Sequence, residues 1–218
     1  MHNALPLLIA NDTFMLLANK AMYWPQQKTL LIADAHFGKA AAYRALGQPV
    51  PQGTTTTNLQ RLSALIDAHP TETIVFLGDF LHAPKSHAPV TLKLLRQWRE
   101  QHANIECILI RGNHDLSAGD PPEYLNIKAV AEPYIVGNIA LQHSPKALTA
   151  HHVIAGHIHP TFTLQGKGRQ SVRLPCFYHD DQLTLLPSFG DFTGGYELDT
   201  ASAKGIYVTD GSHLWSVK

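Results

Sequence analysis

The sequence has no excess of either charge: 17 Lys and Arg stand against 17 Asp and Glu in 218 residues. A chain-wide basic field that would gather polyanions is therefore excluded, leaving room only for a local patch. Cysteine is nearly absent. Cys107 and Cys176 are too few for a disulfide scaffold, and their apolar neighbours predict buried free thiols in a reducing compartment. Long apolar runs are missing as well, since none approaches the roughly 18 residues of a membrane span. The apolar stretch 4–10 has no basic flank and is broken by Asn11 and Asp12, unlike a secretory signal. The expectation is a cytoplasmic chain with no membrane partner.

What is there is an ordinary globular balance, 44% hydrophobic and 16% charged, with one outlier: 14 histidines. Histidine is the commonest metal ligand and the usual proton shuttle near neutral pH. The length suits one substantial core, and no repeat, low-complexity tract or linker divides it, so residues 1–218 are expected to form a single domain.

One pattern recurs along the chain. Short apolar runs, each fit for a strand covered on both faces, end abruptly in polar groups. Thr29–Ala33 ends in Asp34-Ala35-His36, Thr73–Leu77 in Gly78-Asp79, and Cys107–Ile110 in Arg111-Gly112-Asn113-His114-Asp115. Ile139–Gln142 ends in His143, and His152–Ala155 in Gly156-His157-Ile158-His159. The first three runs are separated by crossover-length segments, as parallel strands require. Helical spacing is expected over 58–69 and 90–101. Residues 13–17 and 21–24 suggest a hairpin turning at Asn19-Lys20. A long loop with a helical start is expected over 40–57, irregular surface over 116–133, and antiparallel strands beyond Gln170, with a turn at Asp210-Gly211. Asp34 and His36, two apart, would point the same way in extended geometry.

Groups just past the carboxyl ends of strands are where open α/β sheets place ligands. Asp34, His36, Asp79, Asn113, His143, His157 and His159 offer the oxygen and nitrogen donors that suit Mn, Fe or Zn. Seven donors exceed the needs of one ion and suggest two sharing Asp79; such a pair clamps an in-line displacement at phosphorus. Each block alone has a plainer reading, as a turn or an exposed imidazole. Taken jointly and in order, those readings are hard to sustain.

The five blocks resemble the signature of the calcineurin-like metallophosphoesterase superfamily. The resemblance implies an α/β fold, a four-layer α/β/β/α sandwich, with two divalent metal ions at the strand ends, most often Mn. It implies one metal held by Asp34, His36, Asp79 and His159, and the other by Asp79, Asn113, His143 and His157. His114 would be the general acid to the leaving oxygen after attack by a metal-activated hydroxide, with Asp115 a candidate to orient it or else a cap of the turn. The start Asp34–Lys39, the block Gly78–His82 and the late segment 186–195 resemble a bacterial subgroup, the ligase-associated DNA damage response endonucleases. That subgroup implies a Mn-dependent phosphodiesterase acting on DNA in repair, in association with an ATP-dependent DNA ligase and a helicase. The block after Asp79 lacks the Asp-Arg-Gly of protein Ser/Thr phosphatases, which argues against that activity.

Two alternatives remain beside a nuclease. A small-molecule phosphodiesterase or phosphomonoesterase fits the neutral charge, and a catalytically silent metal-binding scaffold fits the ligands alone. Lys39 and Arg44 are expected as solvated loop charges. His82 is expected in an outer-shell hydrogen bond or at the surface, and Arg111 in a surface salt bridge. The Phe189–Gly195 loop is a candidate lining for the pocket.

Overall fold

The computed structural model describes residues 2–50 and 53–218. Pro51, one of the residues expected in the 40–57 loop, lies outside them.

The chain opens with four antiparallel strands, β1 (Ala4–Ile9), β2 (Asp12–Leu17), β3 (Ala21–Trp24) and β4 (Thr29–Ala33). β5 (Thr73–Leu77), β6 (Glu106–Ile110) and β7 (Ile127–Val130) then add in parallel, completing a seven-stranded sheet in sequence order. The crossovers are α1 (Lys39–Arg44) with α2 (Thr54–Ala68), then α3 (Pro89–Gln101), and last α4 (Asn113–Ala118) with a short turn of 3₁₀-helix. The central strands read as continuous apolar runs because both faces are covered. Leu30, Ile32, Ile74, Phe76 and Leu109 pack under Leu62, Leu65, Leu95 and Trp98 of α2 and α3. Their alternates Leu31, Ala33, Val75, Leu77, Ile108 and Ile110 face the second sheet.

That sheet comprises β8 (Tyr134–Val136), β9 (Ile139–Gln142), β10 (His152–Ala155), β11 (Pro160–Gln165), β12 (Ser171–His179), β13 (Leu183–Leu185), β14 (Tyr196–Glu197), β15 (Gly205–Thr209) and β16 (Leu214–Ser216). β9 and β10 run parallel, as do β10 and β13, whereas β12 pairs antiparallel with β11, β13 and β15. Ile139, Leu141, Ile154 and Phe177 close the core between the sheets. The outer face of the second sheet carries a third cluster around Val153, Cys176, Ile206 and Val208. Among the described residues no helix joins that cluster; Leu148, Leu198 and Ala203 pack there from loops. Both cysteines are buried and free, and burial pushes their thiols up, to about 11 for Cys107 and about 12 for Cys176.

Three expectations need correction, and one strand went unremarked. Residues 116–133 are not merely irregular. They contain the end of α4 and the parallel strand β7, whose single lysine and half-buried residues left too faint a pattern. α2 begins at Thr54, four residues early, in a run of β-branched threonines that disfavours helix locally and is held by packing further on. The stretch 4–9 is a strand, turned into β2 through Ala10 and Asn11 at positive φ. Asp34 and His36 are not extended: their φ angles are 52° and 46°.

Candidate metal centre

The centre lies where β4, β5, β6, β9 and β10 end. Past those ends the backbone curls sharply. Asp34, His36, Asp79, His157 and His159 all have φ between 46° and 71°, a region that costs a residue with a side chain about 1–3 kcal/mol. The segments are stitched to one another: the His36 amide donates to the Asp79 carbonyl at 2.8 Å and the Phe37 amide to the Phe80 carbonyl at 2.8 Å. Glycine precedes Asp79, Asn113 and His157 for a shared steric reason. A Cβ on Gly78 would lie 2.2 Å from the His143 ring, one on Gly112 2.4 Å from the Asp79 carboxylate, and one on Gly156 2.7 Å from that of Asp34. Each glycine is a notch for a side chain delivered by another strand.

The seven expected donors converge. Asp34, Asp79 and His143 bring ligand-type atoms within 4.8 Å of one another, and so do Asp34, His36 and His159. His143 Nδ1 lies 3.0 Å from the Leu77 carbonyl and donates to it, so its Nε2 lone pair points inward. There it meets Asn113 Oδ1 at 2.9 Å, Asp79 Oδ1 at 3.6 Å and His157 Nδ1 at 2.9 Å. His159 likewise donates through Nδ1 to the Gly194 carbonyl and turns Nε2 toward Asp34 at 3.6 Å. His36, buried, has a hydrogen-bond partner on neither nitrogen, and His159 Nε2 is orphaned too.

The unpartnered nitrogens of His36 and His159 stand 3.8 and 3.6 Å from the Asp79 and Asp34 carboxylates, an arrangement of buried polar groups that a bound cation would satisfy. Burial, with Asp34 alongside, raises the Asp79 carboxyl above its usual value. Burial and the nearby Lys39 charge hold His36 neutral, far below its ordinary range. At His159 burial acts downward, but the Asp34 carboxylate outweighs it and the imidazole is raised. The donor set therefore fits divalent metal: imidazoles, carboxylates and an amide oxygen, with the outward nitrogens of His143 and His159 tied to backbone carbonyls.

His114 sits at the rim, half-buried. Its Nδ1 is 2.7 Å from the His82 carbonyl, and Nε2 faces Asp79 at 3.9 Å. Asp115 does not orient it. The Asp115 carboxylate points away and accepts from the amides of Asp79 (2.7 Å), Gly112 (2.9 Å), Phe80 (3.0 Å) and Leu81 (3.4 Å). On α4 it sits at the third helical position, where an acid turns back to the amides before the helix. Burial raises this carboxyl to about 6, against the pull of the Gly112 amide. His82 takes the orienting part through its carbonyl, and its ring stacks on His114 at 4.9 Å. His36, His82 and His114 together form a further trio of close imidazoles.

Lys39 is a second correction, because it is buried rather than a solvated loop charge, and burial lowers its pKa. Arg111 forms the expected exposed pair, bidentate with Asp120 at 2.7 Å. Glu132 was not anticipated. It accepts from the His143 amide (2.8 Å) and from the Ser144 amide and hydroxyl, holding the turn that presents His143. Nothing in the local pattern around Glu132 pointed to it, since its partners lie eleven and twelve residues on.

A two-sheet α/β sandwich with carboxylates and imidazoles knotted at its strand ends is the architecture of a metal-dependent phosphoesterase. Residues 27–189 match the calcineurin-like phosphoesterase family, and the chain belongs to that family. Among solved structures, the Pseudomonas putida nuclease MPE is 45% identical to this chain, with a TM-score of 0.88, covering 99% of this chain and 100% of its own. A protein of unknown function from Aquifex aeolicus is 19% identical over 65% of this chain and 82% of its own, with a TM-score of 0.42. No curated protein matches.

The Asp115 knot yields a prediction. Asp115→Asn replaces two charged acceptors by one amide oxygen and an NH₂ group that faces donors, which should cost about 2–4 kcal/mol of stability. Chemical denaturation of the metal-free protein should show that loss. A variant as stable as the parent, with only catalysis impaired, would return Asp115 to a direct catalytic part.

Proposed function

We propose that this chain is a nuclease, cleaving phosphodiester bonds of DNA or RNA by in-line attack with two divalent ions in place. The convergence of carboxylates, an amide oxygen and imidazoles from five strand ends, with the buried His36 ring and His159 Nε2 left without partners, is the observation that supports it most. One ion would be held by Asp34, His36, Asp79 and His159, the other by Asp79, Asn113, His143 and His157, with residues 1–218 acting as one domain. When bound, such ions supply Lewis-acid charge at the phosphoryl oxygens and lower the pKa of a water into the nucleophilic range. Manganese suits the mixed oxygen and imidazole set, and iron or zinc would be accepted by the same donors.

The chain's own residues would do the rest. His114, when protonated, keeps one N–H on the His82 carbonyl and offers the other, on Nε2, to the leaving oxygen. After transfer the neutral ring retains its Nδ1 proton, so the tautomer never has to change. Lys39, buried beside Asp34 and Asp79, adds a fixed positive charge near the phosphoryl oxygens. The likeness to a Pseudomonas putida nuclease along nearly the whole chain favours nucleic acid as substrate. A part in DNA repair and association with an ATP-dependent DNA ligase and a helicase rest on the subgroup resemblance, and a cytoplasmic location on the two free, buried thiols.

The second reading, a phosphoesterase for small substrates, is favoured by the zero net charge. Salt separates the two: a nuclease should lose oligonucleotide affinity steeply with ionic strength. A flat salt response together with intact turnover of a chromogenic diester would establish the small substrate.

His114→Asn should lower kcat about 10²–10⁴-fold on an oligonucleotide, and far less on a diester whose p-nitrophenolate leaves without a proton. Elemental analysis of the variant should still find metal; equal losses on both substrates would remove the acid assignment. Chelation should abolish hydrolysis and Mn²⁺ restore it, and occupancy should fall in acid as protons compete for the imidazoles. Activity untouched by exhaustive chelation would end the two-metal reading.

A further inference from the structure

On the far side of His159 a cavity of about 170 Å³ opens, lined by Lys20, Thr161, Ser188 and the loop Gly190–Gly195. It is smaller than the roughly 300–1,000 Å³ of a self-contained small-molecule site, so it suits one group of a larger ligand. Its wall is fixed to the metal-directed backbone. The Phe189 amide donates to the Ala33 carbonyl at 2.8 Å, and the Gly190 amide and Ser188 hydroxyl both donate to the Asp34 carbonyl, at 3.0 and 2.9 Å. A Cβ on Gly190 would come within 2.5 Å of the Ala35 carbonyl oxygen. The cavity therefore stands at a set distance from the residues of the centre.

Two features of the cavity serve neither the fold nor the centre. Lys20, at the tip of the β2–β3 hairpin, would ordinarily extend into water. Here its side chain is only 13% exposed, with Asp191 3.6 Å away. Asp191 is shared with Arg61 at 3.4 Å, so two cations stand against one carboxylate. Arg61 is consumed locally: it donates to the Phe189 carbonyl and to Asn58 Oδ1 at 3.1 Å and lies over the Phe189 ring. Lys20 is left as the charge directed at the cavity. Burial, with Arg61 beside it, lowers its pKa to about 8, which leaves it mostly charged at neutral pH. The second feature is Phe192, a cavity-lining ring that stays half exposed on a backbone with φ of 59°. Neither burial nor backbone preference accounts for a large aromatic there.

We propose that this cavity is a subsite for the phosphodiester next to the scissile one, with Lys20 as its cationic contact and Phe192 as the platform on which the adjoining base stacks. The assignment rests on the nucleic-acid reading given above. It supplies what the neutral chain otherwise lacks, a local positive charge with an aromatic face beside it, the pairing used to hold single strands.

The test combines binding and turnover. Anisotropy of a labelled oligothymidylate, measured in EDTA across a salt series, gives affinity and slope without metal. Lys20→Met should weaken binding roughly tenfold and flatten the slope by about 0.7, one phosphate contact on a single strand. Lys20→Arg should retain the slope. Phe192→Ala should weaken binding about fivefold or more with the slope unchanged, as loss of stacking does. With metal present, the kcat/KM ratio of a trinucleotide to bis(p-nitrophenyl) phosphate should fall in Lys20→Met. An unaltered slope and ratio in folded Lys20→Met, while the parent protein binds and cuts oligonucleotides, overturns the subsite alone. A parent protein that neither binds nor cuts them, yet hydrolyses the small diester, overturns the nucleic-acid reading and the subsite with it.

Discussion

The structure depends on one constraint: buried acceptors from five strand ends must meet in one place. Carboxylates of Asp34 and Asp79, the Asn113 amide oxygen and inward imidazole nitrogens crowd together, and His36 and His159 Nε2 find no hydrogen-bond partner there. Bound divalent metal would offset the crowding of like charges and unpartnered nitrogens. The backbone is bent to achieve it, with five of the donor residues in the left-handed region. That strain persists because surrounding contacts over-determine it. The Asp115 carboxylate gathers four amides on two of the converging segments, and Glu132 does the same for the turn at His143.

The same constraint explains the small residues. Gly78, Gly112 and Gly156 are notches through which a donor from a neighbouring strand passes, so a methyl group at any of them would displace His143, Asp79 or Asp34. It also explains why the late loop is rigidly placed. Phe189, Gly190 and Ser188 hydrogen-bond to the carbonyls of Ala33 and Asp34, which ties the cavity beside His159 to the backbone of a metal-directed aspartate. Centre and cavity are thus built on one stretch of chain.

Much of this was legible in the order of residues. Continuous apolar runs ending in Asp, Asn or His located the strands and the side of the sheet on which the site lies, because strands buried on both faces cannot alternate. β7 escaped, since Ile127–Val130 is half-buried and carries a lysine, and only pairing with β6 makes it a strand. Helix α2 began early for a similar reason, its threonines being recruited by packing beyond them. Asp34 and His36 were expected to share a side through extended geometry. They do approach the same centre, but by left-handed turns.

The roles of Asp115, Lys39 and Lys20 needed three dimensions. The family resemblance made Asp115 a candidate to orient His114, yet its carboxylate serves amides thirty-odd residues earlier while a carbonyl of His82 holds the His114 ring. Lys39 looked like a solvated loop charge and Lys20 like a plain hairpin-turn residue, and burial of a turn depends on what folds over it. Sequence by itself determined the donor types, their order and the strands that carry them, since these follow from local chemistry and periodicity. The tertiary structure decided which atom of each donor faces inward, which acid is structural and which lysine faces a cavity, because those depend on partners distant along the chain.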